Sequence, residues 1–177
     1  MSPYESLLTI AEIAIAVIGF AGIVSALRPR TSRLADAMHR LRVRLMIEGS
    51  ASVMAFAFLP FVLSGALSNS QTWAISSGVL AIASPIHIGS VYVRQRRIFG
   101  SALLRETLLF DTFTIVSAVV VEGVLVLNCL GVLFEPQFSA YLLGVLLPLG
   151  VAVAMFVRAV FASSTELDAG ADSDEGR

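Results

Sequence analysis

Five ionisable side chains stand inside otherwise apolar stretches of this 177-residue sequence: Glu12, Glu48, His87, Asp111 and Glu122. A charge near the middle of a bilayer costs about 2.5–3.5 kcal/mol on insertion scales, so such groups mark proton relays, cation sites or polar ties between helices. A carboxyl group in a low dielectric holds its proton more tightly and can exchange it for a cation. The five residues are therefore the candidate cation or proton pathway.

Their neighbours give them direction. Thr107, Asp111, Thr114, Ala118 and Glu122 follow one another at intervals of four, three, four and four. At about 100° per residue they fall within roughly 80° of a helix, a polar and small stripe that should not face lipid. By the same arithmetic His87 shares a face with Ser76, Ala83, Ser84 and Ser90. Glu12 shares one with Thr9, Ala16, Gly19 and Ala26, and Glu48 sits with Ser52 and Ala55. Small residues let another helix approach closely, so all five groups are expected to turn toward the bundle interior.

At about 1.5 Å rise per residue, Glu48, His87 and Asp111 lie roughly 6–11 Å from the nearest arginines and could form an inner layer. Glu12 and Glu122 lie about 22–26 Å along their helices and could form an outer one. Simpler readings stand beside these. Glu48 follows Arg44 by one helical turn and could be an ion pair, Asp111 could meet an interfacial arginine, and His87 could be a neutral, hydrogen-bonded ring. Glu12 and Glu122 have no cation in their half, so they must meet each other, water or a bound cation.

The elements that hold these residues are long apolar helices. Hydrophobic residues make up 56% of the chain and charged ones only 14%, where soluble domains carry about a quarter charged. Five apolar stretches, Leu7–Leu27, Leu45–Leu67, Trp73–Val93, Leu108–Phe134 and Ala140–Phe161, each reach the roughly 20 residues needed to cross a bilayer. The sequence reads as an all-α polytopic bundle of five transmembrane helices over residues 1–162. The remainder, 163–177, is acidic, small and polar, and is expected to be a disordered cytoplasmic tail.

Arginine sets the topology. Arg28, Arg30, Arg33, Arg40, Arg42 and Arg44 lie between the first two spans, Arg94, Arg96, Arg97 and Arg105 between the third and fourth, and Arg158 ends the fifth. The other two links carry no basic residue. The positive-inside rule then puts the N-terminus outside and the C-terminus in the cytoplasm. An N-terminus with Glu5 and no basic residue does not resemble a secretory signal, so the first stretch reads as a retained span. All twelve basic residues are arginine, a bias that points to a GC-rich, bacterial coding sequence and to the inner membrane. Ser32 should cap a second helix that begins in the cytoplasm, with Leu34, Met38, Leu41 and Leu45 on one stripe, and Gly100–Ser101 should separate the third helix from the fourth.

Three prolines, Pro60, Pro85 and Pro148, fall inside spans and free the carbonyls of Phe56, Ala81 and Gly144, which neighbouring helices usually re-satisfy. Cys129 is the only cysteine, which excludes an intrachain disulfide and a cysteine-based metal site. No nucleotide-binding, nucleophile-elbow or zinc-hydrolase motif occurs, and no cofactor is implied. The arginines are explained by topology and lack interleaved aromatics, so nucleic acid is not an expected partner.

Two functions fit. One is a small cation- or proton-conducting channel or transporter using Glu122, Glu12, Asp111, His87 and Glu48. The other is a non-catalytic membrane subunit whose arginine-rich face recruits a partner protein. A bundle this small encloses little interior, so assembly of several copies in the lipid bilayer is expected. A membrane enzyme holding a metal at the inner layer is a third and weaker option.

Overall fold

The structure, a computed structural model, describes residues 2–27, 33–99, 104–132 and 137–174. They form five α-helices: α1 Pro3–Leu27, α2 Arg33–Ser64, α3 Asn69–Phe99, α4 Leu104–Leu130 and α5 Phe138–Asp174. By length and composition, four carry stretches able to cross a membrane: Pro3–Ala26, Arg40–Ser64, Asn69–Arg94 and Phe138–Val157. In α4 the described apolar stretch is shorter, Thr114–Leu130.

Short polar segments start α1 and α3. Ser2 Oγ accepts the Glu5 amide at 3.2 Å while Glu5 carboxylate oxygen accepts the Ser2 amide at 2.7 Å. This reciprocal capping satisfies two of the amides a helix start leaves free, and Pro3 fits the first helical position because it has no amide to satisfy. Ser68 and Gln71 make the same exchange at the start of α3.

The helix ends refine the expected spans. The second apolar stretch runs on to Leu67, but α2 stops at Ser64, and the amides of Ala66 and Leu67 both turn back to the Leu63 carbonyl. The fourth runs on to Phe134, but α4 stops at Leu130 because Gly131 takes φ 62°, a left-handed position that ends a helix cheaply only at glycine. At the other extreme α5 continues to Asp174, so the tail expected to be disordered is helical over 163–174. Adding residues to a formed helix avoids the cost of nucleation, and Glu166, Leu167, Ala169 and Ala171 tolerate it. Ser32, Gly100 and Ser101, and the side chains of Leu34 and Met38, lie outside the described residues.

α5 is the hub. It touches all four other helices, which follow one another around it in chain order: α1 on α2, α2 on α3, α3 on α4. Among the described residues the backbone of α1 approaches neither α3 nor α4, and α1 meets α3 through the rings of Tyr4 and Trp73. The ring around α5 is therefore open between α1 and α4.

In hydrocarbon, burying a leucine against another helix gains little over burying it in lipid, so close packing and hydrogen bonds decide helix association. The main core joins Leu7, Ala14, Val53, Leu80, Leu125 and Val145 from all five helices. Close approach is visible at Gly144 of α5, where a methyl group would stand 2.7 Å from Leu80 and 2.8 Å from Leu125. At one end Tyr4, Phe61, Trp73, Phe138 and Tyr141 form a cluster of ring contacts, with Trp73 lying 5.9 Å from both Tyr4 and Tyr141. Since these residues come from the start of α1, the end of α2 and the starts of α3 and α5, successive helices run in opposite directions. Arg40, Arg42 and Arg44 near the start of α2 and Arg94, Arg96 and Arg97 near the end of α3 lie toward the other end.

Pro60 shows how packing repairs the backbone. It is buried inside α2 and leaves the Phe56 carbonyl without its helical amide. The Tyr141 hydroxyl of α5 donates to that carbonyl at 2.5 Å. Tyr141→Phe keeps the ring but orphans the carbonyl, and should lower stability by about 1–3 kcal/mol in denaturant titrations of the detergent-solubilised protein. Gly144→Ala should cost about 1–3 kcal/mol by overpacking. Gly150→Ala, where a methyl group meets nothing within 4 Å, should cost nothing in the same assay.

Candidate functional site

The ionisable residues do not share one interior. Glu48 of α2 is the most firmly held. Arg44 Nε donates to Glu48 Oε1 at 2.6 Å, and Arg94 Nη1 of α3 reaches both carboxylate oxygens at 2.9 and 3.0 Å. Arg94 and Glu48 are 31% and 26% exposed, whereas Arg44 is 62% exposed. The Arg94 contact joins two helices in partial shelter from solvent; the Arg44 contact lies along one helix surface. The ion pair weighed for Glu48 is thus present, and a second arginine strengthens it.

Glu122 of α4 is met by α3. Ser84 Oγ donates to Glu122 Oε1, and both residues are partly buried. On the same stripe Ala118 is buried and Thr114 half-buried, so the expectation that this face turns inward holds for these three. The side chains of Thr107 and Asp111 lie outside the described residues. His87 is half-buried on α3, and its backbone carbonyl accepts Ser90 Oγ at 2.7 Å. Its ring has no hydrogen-bond partner among the described residues.

Glu12 departs from expectation. It is exposed, as are Thr9, Ala16, Gly19 and Ala26 beside it. α1 instead packs inward through Leu7, Ile10, Ala11, Ala14, Val17 and Ala21, a stripe about 170° around the helix from Glu12. The expected outer pair of Glu12 and Glu122 does not form within one chain, because α1 and α4 do not touch. Small residues signal a close-packed face, and they do so equally for a face that packs on something outside the chain.

A polar tie that the ionisable residues do not reveal lies near the opposite end. Asn128 of α4 is fully buried; its Nδ2 donates to Ser77 Oγ of α3 at 2.8 Å and to the Gln137 carbonyl at 3.1 Å. Its Oδ1 accepts the Gln137 amide at 2.8 Å, capping the entry to α5. One amide therefore fastens three helices. The signal for it was an asparagine inside an apolar span, a residue a search for charges alone passes over. Beside this tie Gly78 lets α3 approach α4, since a methyl group there would stand 2.8 Å from Cys129 Sγ.

Among the described residues no group of three or more His, Cys, Asp or Glu side chains is placed to hold a metal. An apolar groove of about 410 Å³ runs between α4 and α5, with Thr114 and Ser117 as the only hydroxyls among its described lining residues. Comparison of the chain with protein-family models, with curated proteins and with solved structures gives no match.

The two contacts to Glu48 differ in shelter, and a double-mutant cycle separates them. Glu48→Gln combined with Arg94→Ala should reveal a coupling of about 1 kcal/mol, and with Arg44→Ala less than half of that, measured as unfolding free energy in detergent.

Proposed function

We propose that the chain is a five-pass integral membrane protein, N-terminus outside and C-terminus cytoplasmic, acting as a non-catalytic subunit that recruits a partner protein through its arginine-rich cytoplasmic face. All five helices are taken as spans: α4 extends over Leu104–Leu130, about 40 Å at 1.5 Å per residue and enough to cross a hydrocarbon core of about 30 Å. The orientation rests on arginine placement, and the plasma membrane is the expected location.

The observation that carries the reading is the disposition of the guanidinium groups. Arg94 turns to Glu48 and ties α2 to α3, while Arg40, Arg44, Arg96 and Arg97 are exposed at the same end. Exposed guanidinium groups are forked donors that suit carboxylates on an acidic protein surface, which they can engage two hydrogen bonds at a time. The polar groups inside the bundle support this reading as well. Glu48, Ser84 with Glu122, Asn128 and Tyr141 each fasten one helix to another, which is the work of a rigid scaffold.

A cation or proton pathway through Glu12, Glu122, Asp111, His87 and Glu48 is supported less well. Glu48 is neutralised by two arginines, and Glu12 points away from the helices that carry Glu122 and His87.

Affinity purification from native membranes should yield a companion protein at constant stoichiometry. Paired Arg96→Gln and Arg97→Gln, which leave the other arginines to hold the topology, should weaken its retention roughly tenfold, the scale of one or two charge-assisted contacts. Absence of any companion, together with proton or cation flux in liposomes that Glu122→Gln abolishes, would reverse the choice.

A further inference from the structure

The outward face of α1 is too polar to be left against lipid. From Glu5 through Thr9, Glu12 and Ala16 to Gly19, every residue of this stripe is exposed, and at 100° per residue the five fall within about 80° of one another. The flanks are different in kind: Leu8 and Ile15 on one side and Ile13 on the other are large, apolar and 42–54% exposed. Those flanks suit acyl chains, and the stripe between them does not. A methyl group added at Gly19 meets nothing within 4 Å, so the chain's own helices leave that surface free. Beyond Gly19 the polar stripe ends; Phe20 turns to Phe156 of α5, with ring centroids 5.9 Å apart.

Glu12 lies nine residues into α1, about 13–14 Å from its start, and none of the described residues bonds its carboxyl group. Thr9 spends its hydroxyl on the Glu5 carbonyl at 3.1 Å and leaves Glu12 as the group in need. A carboxyl group at that depth requires a hydrogen-bonding partner at the same depth, in a contact close enough to exclude lipid. A second copy meets both demands. All copies insert in one orientation, so a two-fold axis along the membrane normal brings each Glu12 to the level of the other, and a two-fold contact applies the same stripe to itself. A carboxylic acid is both donor and acceptor, and is therefore its own complement. The small side chains of Ala16 and Gly19 allow the two backbones to approach.

We infer that the chain forms a two-fold dimer through the outward face of α1, with the two Glu12 carboxyl groups hydrogen-bonded to each other across the axis. The inference rests on α1 being a membrane span and is independent of the partner protein proposed for the arginine-rich face.

The test uses the full-length protein with Cys129→Ser, reconstituted in phospholipid bilayers, with single cysteines introduced at Thr9, Ala16 or Gly19 on the stripe and at Leu8 or Ile13 on the flanks. Mild oxidation should give disulfide-linked dimers from the stripe and not from the flanks. In the otherwise unchanged chain, Glu12→Gln retains a donor and an acceptor and should keep the dimer. Glu12→Leu should weaken association roughly five- to thirty-fold by single-molecule photobleaching, while helix content and thermal unfolding of the monomer stay unchanged, since this side chain is exposed and hydrogen-bonds to none of the described residues. Three outcomes would overturn the inference: a monomer at every protein-to-lipid ratio, equal cross-linking from stripe and flanks, or Glu12→Leu dimerising as well as the parent.

Discussion

Polar groups removed from water must be satisfied by the protein itself, and this one constraint orders the molecule more than hydrophobic burial does. Among apolar helices in lipid, leucine against leucine is nearly neutral relative to leucine against an acyl chain. What discriminates one arrangement from another is where a hydroxyl, an amide or a carboxylate finds its partner. Tyr141 answers the carbonyl that Pro60 sets free in α2, Asn128 answers both Ser77 and the backbone entering α5, and Arg94 answers Glu48. Each bond runs between different helices, so each fixes a register that packing alone would leave free to slide.

These ties are spread over the length of the bundle. Aromatic rings and the Asn128 amide hold one end, and the Glu48 ion pairs hold the other. Between them small residues bring backbones together, as Gly144 does against Leu80 and Leu125. α5 can serve as the hub because it offers this close approach along one face and the Tyr141 hydroxyl at its start. Two buried hydroxyls, Ser50 and Ser76, lack a partner among the described residues. A helical serine can rotate toward the carbonyl one turn earlier, so they are the least demanding of the buried polar groups.

Much of the architecture is legible in the sequence. Uninterrupted apolar length located the helices, and the arginines marked which ends lie together, because both follow from the thickness and dielectric of a bilayer. Helix ends were less legible: apolar content does not distinguish the last helical residue from the link, whereas the backbone conformation of Gly131 does. The Asp111 stripe led correctly to Ala118 and Glu122, and the Pro60 argument led to a freed carbonyl without identifying Tyr141, which lies 85 residues away in sequence. The reading of Glu12 failed for a physical reason. Helical periodicity says which residues share a face, but not whether that face meets the chain's own helices or something beyond them. The capping pairs Ser2–Glu5 and Ser68–Gln71 were present as Ser-x-x-Glu and Ser-x-x-Gln and could have been read from spacing alone.

The same constraint makes α1 informative, since its polar stripe and its packed stripe point in opposite directions. If unsatisfied polar groups are covered throughout, α1 must be enclosed on two faces and open to lipid only along its flanks. Oxygen accessibility of spin labels placed singly along α1 in bilayers reads this directly. The account requires high accessibility at Leu8, Ile13 and Ile15 and low accessibility at Thr9 and Ala16, giving two minima per helical turn. A single minimum on the Ala14 side, with Thr9 and Ala16 as accessible as the flanks, would contradict it.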